Sequence, residues 1–332
     1  MENHIRKKLI CAMLAILLVS SHVLSSFSAE AATRKCKILL YSSITGKQIG
    51  YCTVDYDSSF IIPVPPKSRF NYSMYNFLGW DKVRGKKDHP SYIPGKPYQI
   101  TSNLKLYDVA FPLANDTVSI PQHVPSQFSS VIMVGDSRTW HIEIATYQQR
   151  RKRRINNVYF VTRTGGGIIN CLENISDYQP GKYYPLGPSG ELFQLVERLN
   201  QPSGKPIAII LNLGVGETDL NKYQLSDISK NAYHSIRILY ELADTLKDYN
   251  VKLYYASVAP ANDVLSSGRM SSRIIYSFNE RLYPYISRHY TWLNFYEKMY
   301  TSGFAFCPSK DGIHYSRNTS TRLYNFLING IK

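Results

Sequence analysis

The segment V-I-M-V-G-D-S-R, residues 131–138, decides the fold of the larger part of this chain. Residues 131–134 form a short apolar run typical of a buried strand, and residues 139–151 have helical periodicity. A serine at such a strand-to-helix turn exposes its hydroxyl, and the N–H groups of the helix N-terminus can bind an oxyanion. The alternative interpretation is that Asp136 and Ser137 only cap the helix.

From this segment to the C-terminus, apolar strands alternate with amphipathic helices. Strands that are apolar throughout are typical of a parallel sheet covered on both faces. The sequence therefore predicts an α/β domain over residues 129–332, built as a three-layer α/β/α sandwich. The further predicted strands are residues 158–161, 207–213, 253–258 and 292–295, and the further predicted helices are residues 191–199, 227–247, 272–287 and 319–331.

A second candidate group of reactive residues is Asp311-Gly312-Ile313-His314, directly before the last predicted helix. A carboxylate three residues ahead of a histidine can hold the ring at Nδ1, which leaves Nε2 to take a proton from a serine. An Asp-Gly turn followed by an incidental histidine is the alternative. Reactive groups gather at the carboxyl ends of parallel strands, so the two segments together predict one catalytic site.

The strings I-M-V-G-D-S-R and D-G-I-H resemble blocks I and V of the GDSL/SGNH hydrolases. The resemblance covers residues 129 to the end of the chain. It implies a flavodoxin-like sheet and a catalytic triad of Ser137, Asp311 and His314. It also implies an oxyanion hole with three donors: the serine N–H, a block II glycine N–H and a block III asparagine side chain. Gly167, in the glycine run after the second strand, is the expected block II donor.

Block III departs from the family pattern, which would read G-x-N-D after the apolar strand. Residues 214–219 read G-V-G-E-T-D, so Gly216 stands at the asparagine position. We expect Thr218 to donate through its hydroxyl, or a backbone N–H to substitute. The loss of one oxyanion donor typically lowers the rate about a hundredfold or more. A rebuilt hole, slow turnover and lost activity therefore all stay open.

The N-terminal residues 1–31 are typical of a signal peptide. A basic start (Arg6, Lys7, Lys8) precedes an apolar run at residues 9–19, and A-E-A at residues 29–31 fits a cleavage site. No second hydrophobic stretch of spanning length follows, so we expect a secreted or cell-surface protein without a transmembrane segment after cleavage. Removal of three basic and two acidic residues lowers the formal charge from +15 to +14.

The basic run at residues 150–154 favours attachment to an anionic wall polymer or a membrane surface, while a solvated helix end is the alternative. Nucleic acid is not an expected partner, because no recognition motif accompanies the charge.

Residues 35–111 predict a small all-β module, and residues 112–128 a linker. The order F-L-G-W (residues 77–80), Y-I-P-G (92–95) and L-K-L-Y (104–107) resembles the Listeria–Bacteroides repeat, a β-grasp-like module of surface proteins. The resemblance implies a spacer or adhesion role. An even number of cysteines in the exported chain suggests disulfides, with Cys36–Cys52 and Cys171–Cys307 as the favoured pairs and free thiols as the alternative.

Other types of site are not indicated. The chain has no G-x-S-x-G, H-E-x-x-H or paired C-x-x-C motif, so neither an α/β-hydrolase elbow nor a metal or cofactor is predicted. His141 follows Ser137 by one helical turn, and we expect it to pack against the sheet or face solvent, with pocket lining as the alternative.

The sequence thus predicts an exported serine esterase acting on O-acyl esters, acetyl groups for example, of a cell-surface glycan or polysaccharide. Lipids and dietary polysaccharide esters stay open as substrates. A surface adhesion or wall-binding protein with an inactive hydrolase domain is the alternative from another class. O-acyl transfer, which uses the same triad, is a further alternative. The sequence does not decide the acyl length, the alcohol or the oligomeric state.

Overall fold

The computed structural model describes residues 34–112, 118–169, 190–202, 204–301 and 311–331. The strands are β1 (Lys35–Tyr41), β2 (Gln48–Asp55), β3 (Ser58–Phe60), β4 (Tyr75–Asp81), β5 (Tyr98–Ile100), β6 (Leu104–Pro112), β7 (Ser130–Gly135), β8 (Val158–Thr162), β9 (Ile207–Asn212), β10 (Val251–Ala256) and β11 (Thr291–Leu293). The α-helices are α1 (Ser137–Lys152), α2 (Glu191–Leu199), α3 (Asp227–Thr245), α4 (Ser272–Ile286), α5 (Phe295–Lys298) and α6 (Arg317–Gly330), and a short 3₁₀ helix covers Gly216–Thr218.

The α/β part is built on a parallel sheet of five strands in the order β8-β7-β9-β10-β11. In the sequence order of these five strands this is 2-1-3-4-5, the flavodoxin-like order, and it confirms the predicted fold class. Every residue of β7 and of β9 is buried. Because alternate side chains of a strand point to opposite faces, β9 supplies Ile209 to one apolar cluster and Ile210 to the other.

Helices cover both faces of this sheet, which gives the predicted three layers. Leu192 of α2, Leu239 of α3 and Phe278 of α4 are buried in one cluster. Ile142 of α1 and Leu327 of α6 are buried in the other. Because β7 lies between β8 and β9, the loops that follow these three strands meet at one edge of the sheet.

The first module contains six strands and no α-helix within residues 34–112. Its main sheet has the order β2-β1-β6-β4, with β1 and β6 parallel at the centre and antiparallel strands outside, and β3 pairs with β5. Trp80 is almost completely buried in its core, and the indole N–H donates to the Pro63 carbonyl at 2.9 Å. Both aromatic residues of the F-L-G-W string, Phe77 and Trp80, are therefore core residues of this module.

The two parts of the chain contact each other through residues 93–96. Ile93 packs against the α/β core, and Lys96 forms an ion pair with Glu297 of α5 at 2.9 Å. The Tyr296 hydroxyl, also on α5, donates toward the Pro94 carbonyl at 2.8 Å. The predicted linker also packs where it is described, because Ile120 and Phe128 are buried in the cluster beneath α1.

Two sequence expectations need correction. Cys36 and Cys52 are free thiols: Cys36 lies opposite Val54 and Cys52 opposite Ile38. The cysteines are therefore diagonal neighbours, about 7–8 Å apart, which exceeds the reach of a disulfide. Cys171 and Cys307 lie outside the described residues.

The second correction concerns the last strand, predicted at residues 292–295. β11 ends at Leu293, because the Asn294 side chain accepts the Glu297 N–H and starts α5 at Phe295. Within the part of the chain that the structure describes, no helix combines the length and the apolar character needed to cross a bilayer.

Candidate active site

The turn between β7 and α1 brings the candidate nucleophile to the edge of the sheet. A Cβ at Gly135 would lie 1.8 Å from Thr139 Oγ1, so only glycine lets the helix begin this close to the strand. Asp136 caps α1 by accepting the Arg138 N–H at 2.8 Å. Ser137 is the first residue of the helix, and its N–H is one of the four that have no partner within the helix. This N–H can therefore serve an oxyanion.

The segment before α6 brings the other two predicted triad residues to the serine. Asp311 Oδ1 accepts the N–H groups of Ile313 at 2.9 Å and His314 at 3.0 Å. Asp311 Oδ2 lies 2.6 Å from His314 Nδ1, and His314 Nε2 lies 2.9 Å from Ser137 Oγ. These distances fit a chain in which Oγ donates to Nε2 and Nδ1–H donates to the carboxylate. The structure thus assembles Asp311, His314 and Ser137 in hydrogen-bonding order.

Glycine is also required within this segment. Gly312 has φ +69°, the left-handed region, and a Cβ there would lie 2.4 Å from the Ser266 nitrogen. Its carbonyl accepts the Asn262 N–H at 2.8 Å. The segment is therefore held against the loop after β10. Asn279 of α4 holds that loop in turn, because its amide bonds both the N–H and the carbonyl of Val258.

Arg138 is a buried arginine at the centre of the site, with 3% of its surface exposed. Its three guanidinium nitrogens donate to three backbone carbonyls. Nε donates to the Ile313 carbonyl at 3.0 Å, Nη1 to the Ala259 carbonyl at 2.5 Å and Nη2 to the Pro260 carbonyl at 3.4 Å. The guanidinium also lies over the Tyr315 ring, 4.9 Å from its centroid. The Arg138 side chain therefore stabilises the positions of both the segment 311–314 and the loop after β10.

Burial controls the ionisation of Asp136. Desolvation raises the pKa of its carboxyl to about 6, although the charge of Arg138 and the Arg138 N–H both favour the carboxylate. The carboxyl therefore titrates in the mildly acidic range within the folded protein, while it keeps its role as helix cap.

The expected oxyanion loops follow β8 and β9 and pack against each other. A Cβ at Gly216 would lie 2.9 Å from the Gly166 carbonyl oxygen and 3.2 Å from the Gly167 nitrogen. The place that an asparagine side chain would need is thus filled by the backbone of the glycine run. A Cβ at Gly167 would lie 2.2 Å from Glu217 Oε1, so any other residue at this position would displace the Glu217 carboxylate.

Glu217 lies beneath this glycine run and is 1% exposed. Its Oε1 accepts the Ile169 N–H at 3.0 Å, and the Ile168 N–H also bonds this carboxyl. Oε2 has no hydrogen-bond partner among the described residues. Burial raises the pKa of the carboxyl, and the nearby charge of Asp136 raises it further. Glu217 thus anchors the backbone that follows Gly167.

The expectation for Thr218 is wrong. Its side chain is completely buried, and its hydroxyl donates to the Val215 carbonyl at 2.9 Å within the 3₁₀ helix. The Met270 sulfur lies 4.0 Å from the same oxygen. The sequence shows that position 218 carries a hydroxyl, but it does not show where the hydroxyl points. The 3₁₀ turn directs it into the protein interior.

His141 was expected to pack against the sheet or face solvent, but it contacts the site, which was the alternative interpretation. Its ring stacks on His314, with centroids 4.7 Å apart and 17° between the planes. Trp140, which is 42% exposed, meets His141 edge-on at 5.4 Å. The spacing of four residues from Ser137 was the available signal. Among the described residues, no group of three or more His, Cys, Asp or Glu side chains could hold a metal.

Neither a protein-family model nor a curated protein sequence matches this chain. Solved structures are similar to it at low identity. A lipase/acylhydrolase from Enterococcus faecalis is 14% identical, covers 61% of this chain and 95% of its own, and has a TM-score of 0.40. A GDSL-like lipase from Bacteroides thetaiotaomicron is 14% identical, covers 64% and 91%, and has a TM-score of 0.41. The acetyl xylan esterase AlAXEase is 11% identical, covers 61% and 100%, and has a TM-score of 0.42. Sequence identities and TM-scores this low do not establish a function, which is therefore inferred from the side chains of the site.

Proposed function

We propose that this chain is an exported serine esterase that hydrolyses O-acyl esters, acetyl esters for example, on a cell-surface glycan or polysaccharide. One observation carries the proposal. Ser137 Oγ, His314 Nε2, His314 Nδ1 and Asp311 Oδ2 form a continuous hydrogen-bonded chain with steps of 2.9 Å and 2.6 Å. A hydroxyl in such a chain is an activated nucleophile.

The reaction follows from this arrangement. His314 Nε2 takes the Ser137 proton as Oγ bonds to the ester carbonyl carbon, and Asp311 stabilises the resulting imidazolium. The imidazolium then protonates the leaving alcohol, which gives an acyl-enzyme. A water molecule, deprotonated by His314, attacks the acyl carbon and releases the acid, and the serine recovers its proton.

The oxyanion is stabilised by backbone donors in this proposal. The Ser137 N–H lies at the start of α1, where the helix dipole favours negative charge. The Gly167 N–H, on the loop after β8, is the second donor. Gly216, Thr218 and Glu217 contribute no side-chain donor, because the first has no side chain, the second bonds Val215 and the third is an acceptor.

The substrate class rests on the rest of the chain. The signal-like residues 1–31 support export, and residues 35–111 resemble a repeat of surface proteins. The basic run at the end of α1, residues 150–154, attracts anionic polymers, and ionic strength screens this attraction. An anionic, acyl-bearing wall polymer fits all three features.

A second candidate is a surface-binding protein whose hydrolase domain is inactive. The observation that favours it is the glycine at position 216, since the backbone of residues 166 and 167 occupies the space for a third donor.

The test is hydrolysis of p-nitrophenyl acetate by residues 32–332, beside Ser137→Ala and the control Ser59→Ala on an exposed strand of the first module. We expect the wild type and Ser59→Ala to turn over equally and Ser137→Ala to fall to background. Equal background rates in all three proteins would contradict the esterase and favour the binding protein. An added alcohol that increases total product release by forming a new ester would indicate transfer.

A further inference from the structure

One face of the His314 ring is covered by another histidine from the nucleophile's own helix. The His141 ring lies nearly parallel to it, 4.7 Å away between centroids. His141 is four residues after Ser137, so α1 supplies both the nucleophile and this stacking ring. Trp140 packs edge-on against His141, with the ring centroids 5.4 Å apart.

The surroundings of His141 favour the uncharged form of its ring. Partial burial lowers its pKa and so does His314, while the Asp311 carboxylate has a smaller, opposite effect. These are the titrating groups that act on the His141 ring among the described residues. His314 therefore faces a neutral aromatic ring.

We propose that His141 is a positioning residue of the reaction: its neutral ring holds the plane of His314 so that Nε2 stays directed at Ser137 Oγ, and it stabilises the imidazolium that forms when His314 takes the serine proton. This inference rests on the proposed esterase function. A neutral aromatic face attracts a cation, whereas a positive charge at the same place opposes it. The charge and the shape of residue 141 thus both affect proton transfer by way of the His314 ring.

Three substitutions separate shape from charge. His141→Phe keeps a flat neutral ring, His141→Ala removes the stack, and His141→Lys introduces a positive charge. We expect kcat for p-nitrophenyl acetate to be about 5- to 30-fold lower in the Ala variant than in the Phe variant, the size of one cation–π contact. KM should change little. The Lys variant should have a low kcat and an acid limb of kcat/KM displaced to lower pH, because a fixed positive charge disfavours the imidazolium.

A second readout does not depend on turnover. The rate at which a fluorophosphonate labels Ser137 reports how well His314 activates the hydroxyl, and it should follow the order Phe above Ala above Lys. The matched control is His289→Ala, which removes a histidine packed edge-on against Tyr240, away from the serine. This variant should label like the wild type.

The two proposals fail in different ways. Equal labelling rates and unshifted pH profiles in the three His141 variants, with a labelled wild type, overturn the role of His141. A wild type in which Ser137 is never labelled overturns the esterase itself. His141 is only half-buried, so the folded state should tolerate the substitutions, and the comparison of Phe with Lys stays valid if the Ala variant is unstable.

Discussion

Arg138→Leu converts G-D-S-R into G-D-S-L and removes the buried guanidinium. Two good charge-assisted hydrogen bonds are lost, to Ile313 at 3.0 Å and Ala259 at 2.5 Å, and a weaker one to Pro260 at 3.4 Å. Hydrogen bonds to charged groups contribute about 1.5–3 kcal/mol each, so the gross loss is about 3–6 kcal/mol. Leucine buries no charge, so the variant avoids the desolvation cost of the guanidinium, and this offsets part of the lost hydrogen-bond free energy. We expect the free energy of unfolding to fall by about 2–4 kcal/mol.

The assay is equilibrium unfolding in urea, followed by tryptophan fluorescence. The midpoint should fall while the slope m stays the same, since the surface exposed on unfolding hardly changes. kcat should fall about tenfold or more with little change in KM, because the Ile313 carbonyl lies between Asp311 and His314 and a loosened segment misplaces the base.

Arg138→Lys is the matched control, since lysine keeps the charge but cannot donate in three directions. It should be intermediate in stability and rate. The double variant with Asp136→Asn should lose less than the sum of the single variants, because Arg138 favours the buried Asp136 carboxylate. An Arg138→Leu protein within about 0.5 kcal/mol of the wild type, with unchanged kcat, would refute this account.

Three further substitutions test the rest of the site. Asp136→Asn keeps a good helix cap and removes a carboxyl whose pKa burial raises from 3.8 to about 6. The stability that the protonated wild-type group gives below about pH 4 is lost as the pH rises through 6, by about 3 kcal/mol. Thermal unfolding should therefore show the variant gaining on the wild type from pH 4 to pH 7, and a constant difference would contradict the shift. Asp311→Asn should lower kcat about 10²- to 10⁴-fold with KM unchanged, since an amide nitrogen facing Nδ1 favours the wrong tautomer; steady-state kinetics would contradict this if kcat fell less than threefold. Gly216→Asn, which introduces the asparagine of the G-x-N-D pattern, should lower activity and cost about 1–3 kcal/mol, because its Cβ would lie 2.9 Å from the Gly166 carbonyl oxygen. An increase in kcat/KM would show that a donor fits there.

Much of the fold could be predicted because it depends on patterns that a single sequence carries. Apolar runs alternating with helical periodicity predict a covered parallel sheet, and the rule that strand carboxyl ends share one edge predicts that Ser137 and His314 meet. The structure places their reacting atoms 2.9 Å apart. The predicted and observed boundaries of strands and helices differ where a single capping side chain sets them, as Asn294 does at the start of α5.

The sequence could not predict contacts in which a side chain bonds backbone groups, because every residue offers the same backbone acceptor. Arg138 bonds three backbone carbonyls, and any residue at positions 259, 260 and 313 would offer the same acceptor. An arginine in a helix also suggests a solvated side chain. The inward direction of the Thr218 hydroxyl depends on a 3₁₀ turn, which is too short to give a periodic pattern.

The altered block III can be understood as an exchange of a side chain for backbone. An asparagine donor needs space beside the glycine loop, and Gly216 gives that space to the Gly166–Gly167 peptide. The direction of a backbone N–H is set by the conformation of its loop rather than by a side-chain rotamer. Such a donor therefore needs contacts that hold the loop in place. Glu217 provides this by accepting the Ile169 N–H while completely enclosed. The residue after Gly216 therefore supports the loop that carries Gly167, and the proposed oxyanion hole has two backbone donors, Ser137 and Gly167, without a third from residues 214–219.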